Sequence, residues 1–384
     1  MKHVLAVAVA LSLLGAPVQD ASAEDIRVMT QNQFLGADLG PILLAVGGPP
    51  AVLLQVLEET LGLMADNDFP LRSQALAEQI CDKQPHVVGL QEVFRFEFNG
   101  AIVPVAPLPF VDHLDELMVS IADQCNNYVV GASVQNVDVT QTVTGFGSVR
   151  FMDRDVILVR DDVFFVPVAF SGNFCPPTMS GVPSLAASGC NYTTLVPLPP
   201  SIGGSIVRGY VGVDALVGGT FHRVVNTHLE VMFPGPPVPF TMVFQAAQAT
   251  ELISVLSVFP KPPGARTIVV GDINSSPDDA ADLTLPFVPP YAQLAAGVSL
   301  GGAPISLPYT DTWDLRPGND PGFTCCNDED LSDPRADHGA RIDVIFSLEE
   351  PSKVKANVMG GEKSDRIKGL WPSDHCTVVG DLTF

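Results

Sequence analysis

The sequence predicts a layered α/β or α+β domain. Short β-like runs alternate along the chain with a few helical ones, which is the pattern of sheets covered by helices. With 46% hydrophobic and 16% charged residues, the 384-residue chain can bury a large core and is not disordered overall. No internal repeat and no charged linker divides the chain, so we expect one large domain.

The first stretch of the chain is expected to lie outside that domain. Lys2 opens a short positive region, Val4–Gly15 is an apolar run, and Ala21-Ser22-Ala23 offers an A-x-A cleavage site. These are the three features of a secretory signal, whereas a membrane anchor needs about 20 apolar residues. We therefore predict a signal peptide over residues 1–23, cleavage near Ala23, a secreted or periplasmic location, and one folded domain over residues 24–384 without a transmembrane segment.

Strands and helices are predicted from hydrophobic spacing in chain order. Ile26–Gln31 and Val87–Gln91 are typical of strands, the second of them buried, and Arg72–Lys83 between them has helical spacing. Leu114–Ile121 has apolar residues at i, i+3, i+4 and i+7 and predicts a second helix. A further helix is expected near Phe244–Leu256. The later strands are predicted at Asp155–Val159, Arg208–Ala215, Arg223–Thr227, Thr267–Val270, Arg341–Phe346 and Thr377–Leu382.

Segments rich in proline and glycine interrupt this pattern. Proline removes a backbone donor and fixes φ, so such segments favour loops. They lie at Gly47–Pro50, Val103–Phe110, Val196–Gly204 and Phe233–Phe240.

Charge and cysteine content limit the kind of protein this is. The formal net charge of −23 argues against a broad surface that binds polyanions, but a bound cation could still create a local phosphate site. In an exported protein, disulfides are the default state of cysteine, and the odd number of seven leaves at least one thiol free or paired elsewhere. Cys175 and Cys190 bracket a short loop and are expected to pair; the sequence leaves the other pairings open.

Polar residues recur where the predicted strands end. A lone Asp or Asn there is usually a turn former or a helix cap, and a lone His is usually structural. Six such places in one chain are harder to explain in this way, since strand ends are where layered α/β proteins bind ligands. The residues are Asn32, Gln91-Glu92, Asn226-Thr227-His228, Asp272 with Asn274, Asp343, and Ser373-Asp374-His375.

In their order along the chain, these motifs resemble those of the endonuclease/exonuclease/phosphatase superfamily, which has the DNase I-like fold. The matching segments are Asn32, LQE ending at Glu92, NTHL with His228, GDIN with Asp272 and Asn274, RID with Asp343, and SDH at 373–375. The resemblance implies a four-layer sandwich in which two central, mostly antiparallel β-sheets are flanked by helices. It also implies phosphoester hydrolysis with Mg²⁺ or a similar divalent ion, Mn²⁺ or Ca²⁺. Cys325-Cys326 resembles a feature of secreted bacterial members.

The residue types suit a site for a hard divalent cation. Mg²⁺ prefers carboxylate oxygens and binds through one or two of them together with substrate phosphate. Glu92 is the first predicted ligand, Asn32 would supply an amide oxygen, and Asp374 would supply a further carboxylate.

The remaining motif residues are predicted to carry the chemistry. His375 is the candidate base, because imidazole titrates near neutrality, and the resemblance implies that Asp343 orients it. Asp272 and Asn274 would position the attacking water and a phosphate oxygen, and His228 would donate to phosphate as charge builds. Asn226, in the same motif as His228, is placed with the substrate-binding residues.

Basic residues that could meet an anionic substrate are harder to assign. Arg150 and Arg154 are candidates for the phosphate-facing residue that many members carry between the QE and NTH motifs, although surface salt bridges are an equal interpretation. Before the SDH motif, five basic residues stand against two acidic ones between Lys353 and Lys368. Arg366 and Lys368 in this positive segment would draw the phosphoester toward the metal, or the segment serves only solubility.

Three functions fit the motifs. The first is a secreted, metal-dependent phosphodiesterase, monomeric, acting on nucleic acid, phospholipid or a small phosphodiester. The second is a lipid phosphodiesterase of the sphingomyelinase type, suggested by the apolar segment Val231–Phe240 close to His228, which could equally be core cover. The third is a binding protein that kept the fold without catalysis, against which the intact motifs argue.

Overall fold

A computed structural model of the chain describes residues 25–99, 110–143, 147–175, 188–198, 204–231, 241–281, 287–300, 303–304 and 306–384. The predicted signal peptide and most of the loops predicted at Val103–Phe110, Val196–Gly204 and Phe233–Phe240 lie outside these residues. Among the helices described, none combines the length and apolar composition that a membrane span requires.

Strands dominate the described part of the chain. The strands are β1 (Ile26–Asn32), β2 (Val87–Gln91), β3 (Arg95–Asn99), β4 (Phe110–Asp112), β5 (Tyr128–Val143), β6 (Gly147–Arg160), β7 (Phe164–Pro167), β8 (Cys190–Asn191), β9 (Val196–Pro197), β10 (Ser205–Ile206), β11 (Gly209–Val217), β12 (Thr220–His228), β13 (Arg266–Asp272), β14 (Ser299–Leu300), β15 (Ala303–Pro304), β16 (Thr310–Asp311), β17 (Asp343–Ser347), β18 (Lys353–Met359) and β19 (Thr377–Thr383). The α-helices are α1 (Gly40–Ala45), α2 (Pro50–Asp66), α3 (Phe69–Lys83), α4 (His113–Gln124), α5 (Met242–Val258), α6 (Pro277–Ala281) and α7 (Pro290–Ala296).

Two large sheets form the centre of the molecule. The first has the strand order β18-β19-β1-β2-β6-β3-β4, with β5 paired to β6, and the second has the order β16-β17-β13-β12-β11-β7, with β8 paired to β11. Within each large sheet one neighbouring pair is parallel, β1 with β2 and β12 with β13, and the other pairs are antiparallel. The predicted mostly antiparallel sheets are therefore confirmed.

Strand alternation explains the layers. Every second residue of a strand points to the same face, so each sheet presents one apolar face to the other and one to helices. Val28, Ile157, Val224 and Ile268 belong to the core between the sheets. Met29 and Val88 on the outer face of the first sheet pack with residues of α3 and α4, and their counterparts on the second sheet pack with α5 and α7. The order of layers is helix, sheet, sheet, helix, as predicted.

The helix predictions hold with shifted ends. The helix predicted from Arg72 begins at Phe69, because the Asp68 side chain caps it by accepting from the N–H of Leu71 at 3.3 Å. The spacing of Leu114–Ile121 corresponds to α4, in which Leu117 and Ile121 are buried. Pro50, at the end of a predicted loop, instead begins α2, where proline at the first helical position loses no hydrogen bond.

Three disulfides lie among the described residues. The predicted pair Cys175–Cys190 is present, and Cys81–Cys125 joins α3 to the end of α4. Cys325 and Cys326 form a disulfide between adjacent residues, and Cys376 is a buried free thiol. The described cysteines thus leave one thiol unpaired, as the odd number required.

Candidate active site

The two parallel strand pairs bring the predicted site residues to one end of the sandwich. Asn32 pairs in register with Gln91 at the ends of β1 and β2, and His228 pairs with Asp272 at the ends of β12 and β13. Asp343 stands opposite Asp272 because β17 runs antiparallel to β13. The Ser373–His375 segment precedes β19, which is antiparallel to β1, so it enters the sheet at the same end.

Glycine lets the two sheets approach each other below this site. A Cβ at Gly89 would lie 2.6 Å from Val270 Cγ2 and 2.7 Å from Asn226 Oδ1, so only glycine leaves room for the Asn226 amide. Asn226 crosses the gap and donates to the carbonyl oxygens of Leu90 at 2.8 Å and Val156 at 3.1 Å. Asn226 is fully buried, and its amide joins the first sheet to the second.

His375 and Asp343 form the buried pair that the resemblance implied. The Nδ1 atom of His375 lies 2.7 Å from Asp343 Oδ2, and its Nε2 atom lies 3.8 Å from Asp272 Oδ2. Burial alone opposes the imidazolium, but the carboxylates of Asp343, Asp374 and Asp272 raise the pKa of His375 well above its usual value. With Nδ1 held by Asp343, Nε2 is the nitrogen that faces the cavity.

His228 has the opposite electrostatic surroundings. Arg208 Nη1 lies 3.0 Å from His228 Nδ1, and a guanidinium can only donate, so the proton of neutral His228 is on Nε2. Burial and the charge of Arg208 lower the pKa of His228 well below its usual value. Nε2 lies 3.5 Å from Asp272 Oδ2, which can accept its proton, while the amide nitrogen of Asn274, 3.1 Å away, donates to the Leu229 carbonyl oxygen. His228 is therefore a neutral donor at this position.

Asp272 stands between the two imidazoles and is held on both oxygens. Its Oδ1 accepts from the Asn274 N–H at 2.8 Å, and its Oδ2 accepts from Asn32 Nδ2 at 3.1 Å. Burial and the nearby Asp343 raise the pKa of Asp272 to about 7. Asn274 adopts φ 49°, a left-handed conformation that is strained for most residues and is common at functional sites. The GDIN turn thus fixes Asp272 against both histidines.

Glu92 and Asp374 supply further carboxylates at the cavity wall. Glu92 Oε2 accepts from the Leu35 N–H at 2.8 Å, and its backbone φ of 54° is also left-handed. Burial and the neighbouring Asp374 raise the pKa of Glu92 to about 7, and burial raises the pKa of Asp374. Carboxyl groups crowded in this way, with oxygen donors only, fit a hard divalent cation that would relieve their repulsion.

Asn32 contacts two carboxylate groups of the site. Its amide oxygen accepts from the Phe34 N–H at 2.9 Å, and its amide nitrogen faces Glu92 Oε1 at 3.3 Å as well as Asp272. The amide nitrogen thus orients two carboxylates, and the role of the Asn32 oxygen as a metal ligand stays a prediction. Asp272, Asp343 and His375 also place ligand atoms within 4.8 Å of one another, but Asp343 and His375 are already hydrogen-bonded to each other.

Arg72 fixes the loops that carry the carboxylates. The side chain is fully buried and donates to the carbonyl oxygens of Gln33 at 3.0 Å, Phe34 at 3.1 Å and Pro372 at 2.7 Å. Burial lowers its pKa to about 10, so it remains a cation at neutral pH. One residue of α3 therefore anchors both the chain after Asn32 and the chain before Asp374.

The disulfide of Cys325 and Cys326 forms part of the cavity wall next to the His375–Asp343 pair. Cys326 Sγ lies 3.8 Å from His375 Nε2, and Cys325 makes an isolated β-bridge to His375. Because both sulfurs are in a disulfide, they are not thiolate ligands for a metal.

These residues open into one cavity of about 530 Å³, whose wall includes Glu92, His228, Asp272, Asp374 and His375. A model of the endonuclease/exonuclease/phosphatase family matches residues 62–375 of the chain. The chain belongs to this family. The fold and the class of reaction, phosphoester hydrolysis, follow from that membership.

Solved structures of the family resemble the chain in fold. A family protein from Leptotrichia buccalis C-1013-b has 16% identity and a TM-score of 0.50, over 94% of this chain and 100% of that chain. One from Beutenbergia cavernae DSM 12333 has 22% identity and a TM-score of 0.49, over 94% and 72%. A mannosyl-6-phosphatase from Bacteroides thetaiotaomicron VPI-5482 has 13% identity and a TM-score of 0.49, over 94% and 100%. No curated protein sequence matches the chain.

Three residues predicted to bind substrate do not line the cavity. Asn226 lies beneath it and is occupied by the contacts between the sheets. Arg366 donates to the carbonyl oxygens of Ser332 and Gly369 and lies 5.1 Å from the centre of the Trp371 ring. Lys368 is exposed on the turn that follows. For Arg366 and Lys368, attraction of substrate at longer range stays a prediction.

Arg208 is the cationic side chain that lines the cavity among the described residues, and the sequence did not predict it. Arg150 forms an exposed pair with Asp138 at 2.8 Å, and Arg154 binds Asp112 at 2.5 Å, so the salt-bridge interpretation describes both. Arg208 lines the cavity, held by His228 and by Glu230 at 3.4 Å. Its buried Nε atom has no hydrogen-bond partner among the described residues. The signal in the sequence was its place directly before the strand that pairs with NTH.

Proposed function

We propose that this chain is a secreted phosphodiesterase that depends on a divalent cation, Mg²⁺ or alternatively Mn²⁺ or Ca²⁺. The observation that carries the proposal is the His375–Asp343 pair facing Asp272, in one cavity with Glu92, Asp374 and Arg208. Such a site combines proton-handling groups, carboxylates for a cation and a fixed positive charge, which are the parts that phosphoryl transfer needs.

Glu92 and Asp374 are the residues that would hold the cation, with Asn32 orienting Glu92 from the side. The partial exposure of both carboxylates at the cavity wall and their crowding support this assignment. A bound divalent ion would offset the charge of the phosphoryl oxygens and polarise the ester.

The protein's own residues would orient the phosphoester and move the proton. Arg208 and the Nε2–H of His228 donate to phosphoryl oxygens, where negative charge grows in the transition state. Asp272 Oδ2 would receive the proton of the attacking water, and the protonated His375, whose Nε2 lies 3.8 Å from this oxygen, would stabilise the Asp272 carboxylate. Asp343 holds His375 in the orientation that this transfer requires.

Export is supported by the cysteines. Three disulfides lie among the described residues, and disulfides persist mainly in oxidising compartments. We therefore retain residues 1–23 as the proposed signal peptide, with residues 24–384 as the secreted enzyme.

The proposal is tested by a substrate screen with the full chain, treated with EDTA and then supplied with Mg²⁺, Mn²⁺ or Ca²⁺. We expect bis(4-nitrophenyl) phosphate to be hydrolysed only after a cation is added. DNA, sphingomyelin and 4-nitrophenyl phosphate in parallel separate nuclease, lipid phosphodiesterase and phosphomonoesterase activity. A His375→Ala preparation made in the same way excludes a contaminating enzyme.

Two results would contradict the proposal. Equal activity with and without EDTA would exclude dependence on a cation. Absence of hydrolysis of every ester with all three cations would favour the third function predicted from the sequence, a binding protein that has lost catalysis.

A further inference from the structure

The cavity continues from the catalytic residues into a region with a different character. Beyond Glu92 and Asp374 its wall is formed by apolar residues of α1, α2 and the β3, β5 and β6 strands, including Leu53, Leu57, Phe96 and Val139. The same cavity of about 530 Å³ therefore has a catalytic end and an apolar end. Ligand pockets in proteins usually measure 300–1,000 Å³.

The apolar end follows from strand alternation. In the β5–β6 hairpin, Val137, Val139, Val149 and Phe151 point to the cavity. The intervening Asp138 faces away and pairs with Arg150 at 2.8 Å. A strand pattern that is apolar on one face normally places that face on the core. Here the face meets a cavity, so its apolar side chains remain partly uncovered by protein.

Helix α2 forms the opposite wall of the apolar end, also with one apolar face. Its residues Leu53, Leu57 and Leu61 are spaced four apart and line the cavity, while Val52 and Glu58 face outward. Of these three leucines only Leu57 is buried, and Leu53 and Leu61 remain partly exposed. Leu57 packs against Val149 of the opposite wall, while Leu53 and Leu61 are left partly uncovered by the residues that the structure describes.

The polar groups of the cavity limit what it can bind. Arg208 is the only arginine or lysine among the described residues that line it, and Glu230 and Asp153 share its charge, so the cavity cannot neutralise a polynucleotide backbone. The apolar end offers few hydrogen-bonding groups, so a sugar or a charged headgroup there would lose its contacts with water without replacement.

We infer that the cavity holds a phosphoester with a single long alkyl chain, its phosphate at Arg208 and its chain between α2 and the β5–β6 hairpin. This inference rests on the proposed function for the identity of the reacting group. It adds the substrate class, and it assigns a binding role to the chain segment from Gly40 to Asp66 that carries α1 and α2.

Binding to the EDTA-treated full chain tests the inference without turnover. Methyl, butyl, octyl and dodecyl phosphate are titrated by calorimetry below their micelle concentrations. We expect the Kd to fall with chain length, by up to about fourfold for each added CH₂, until the apolar end is filled. The heat-capacity change should become more negative with length, since apolar surface is buried. The same Kd for all four esters would overturn the inference.

A matched pair of variants locates the chain. Leu53→Trp narrows the cavity. It should raise the Kd of dodecyl phosphate by tenfold or more and leave the Kd of methyl phosphate unchanged. Val52 is one residue away, on the outer face of α2. Val52→Trp should therefore give the same Kd values as the wild type for all four alkyl phosphates. Equal behaviour of the two variants would overturn the assignment to this cavity. If Leu53→Trp does not fold, the wild-type chain-length series still decides the inference.

Activity separates this inference from the proposed function. Hydrolysis of bis(4-nitrophenyl) phosphate, together with a Kd for the alkyl phosphates that does not depend on chain length, would support the phosphodiesterase and overturn the alkyl site. Binding that strengthens with chain length, without hydrolysis of any ester, would support the alkyl site and contradict the phosphodiesterase.

Discussion

His228 and His375 both lie within 3.8 Å of the Asp272 carboxylate, but their pKa values are shifted in opposite directions. His228 lies next to Arg208, and His375 lies among Asp343, Asp374 and Asp272. Burial acts on both rings, so the difference comes from the neighbouring charges. Residues of one type can thus serve as a neutral donor and as a proton-handling group within one cavity.

Arg208→Gln tests the assignment of the phosphate-facing cation. Removing the fixed charge should lower kcat/KM by about 10²–10³-fold, the usual effect of losing one donor that stabilises transition-state charge. Arg150→Gln is the matched control, since Arg150 pairs with Asp138 away from the cavity. Steady-state kinetics on bis(4-nitrophenyl) phosphate measure both, and equal losses in the two variants would refute the role of Arg208.

His375→Ala and Asp343→Asn test the buried pair. The first removes the protonated group that stabilises the Asp272 carboxylate, and the second removes the charge that orients it, so kcat should fall by roughly 10²–10⁴-fold in both. Their combination should lose little more than either alone, because the two residues act as a unit. Near-normal kcat of His375→Ala at saturating Mg²⁺ would show that another residue performs this role.

Among the elements, α3 contributes more to the site than its position outside the sheets suggests. Arg72 on this helix binds backbone carbonyl oxygens on both sides of the carboxylates. Arg72→Met should therefore lower the free energy of unfolding by about 3–5 kcal/mol, because the buried carbonyl groups lose their donor. Chemical denaturation measures the loss. Arg150→Gln, at an exposed pair, should change stability by less than about 1 kcal/mol, and a similar loss in both would contradict the anchoring role.

Three strand ends were predictable from the sequence because their motifs follow apolar runs. Glu92, His228 and Asp272 come together because parallel pairing aligns the ends of β1 with β2 and of β12 with β13. Asp343, which begins β17, joins them because β17 runs antiparallel to β13. Helix α2 was not predicted, because its apolar residues line a cavity and occur between proline-rich segments. Arg208 was missed because its partners Glu230 and Asp153 are brought together only by the fold.

At the scale of the whole molecule, the crowded acids predict how stability varies with pH. The pKa values of Glu92 and Asp272 are about 7 in the metal-free folded protein, above the values near 4 expected for the unfolded chain. Through these two groups the folded state binds more protons between about pH 4 and pH 7, so their contribution to its stability falls as the pH rises through this window. His375, with its raised pKa, contributes in the same direction at higher pH.

Thermal unfolding of the wild type and of Glu92→Gln in EDTA isolates this contribution, because the lowered pKa values of the buried His113 and His228 act in the opposite direction in both proteins. Between pH 5 and pH 8 the Tm of the wild type should fall relative to that of Glu92→Gln, since one titrating group is gone in the variant. Added Mg²⁺ should raise the wild-type Tm more at pH 8, where fewer protons compete for the carboxylates. Parallel Tm curves for the two proteins in EDTA would contradict the electrostatic description of the site.

The account depends most on the claim that Glu92 and its neighbours form the cation site of a phosphodiesterase. The direct measurement is the Mg²⁺ dependence of bis(4-nitrophenyl) phosphate hydrolysis by the wild type and by Glu92→Gln, which keeps size and loses charge. We predict that the wild type saturates with Mg²⁺ and that Glu92→Gln needs at least tenfold more Mg²⁺ for half-maximal rate. Superimposable Mg²⁺ curves for the two proteins would contradict the account.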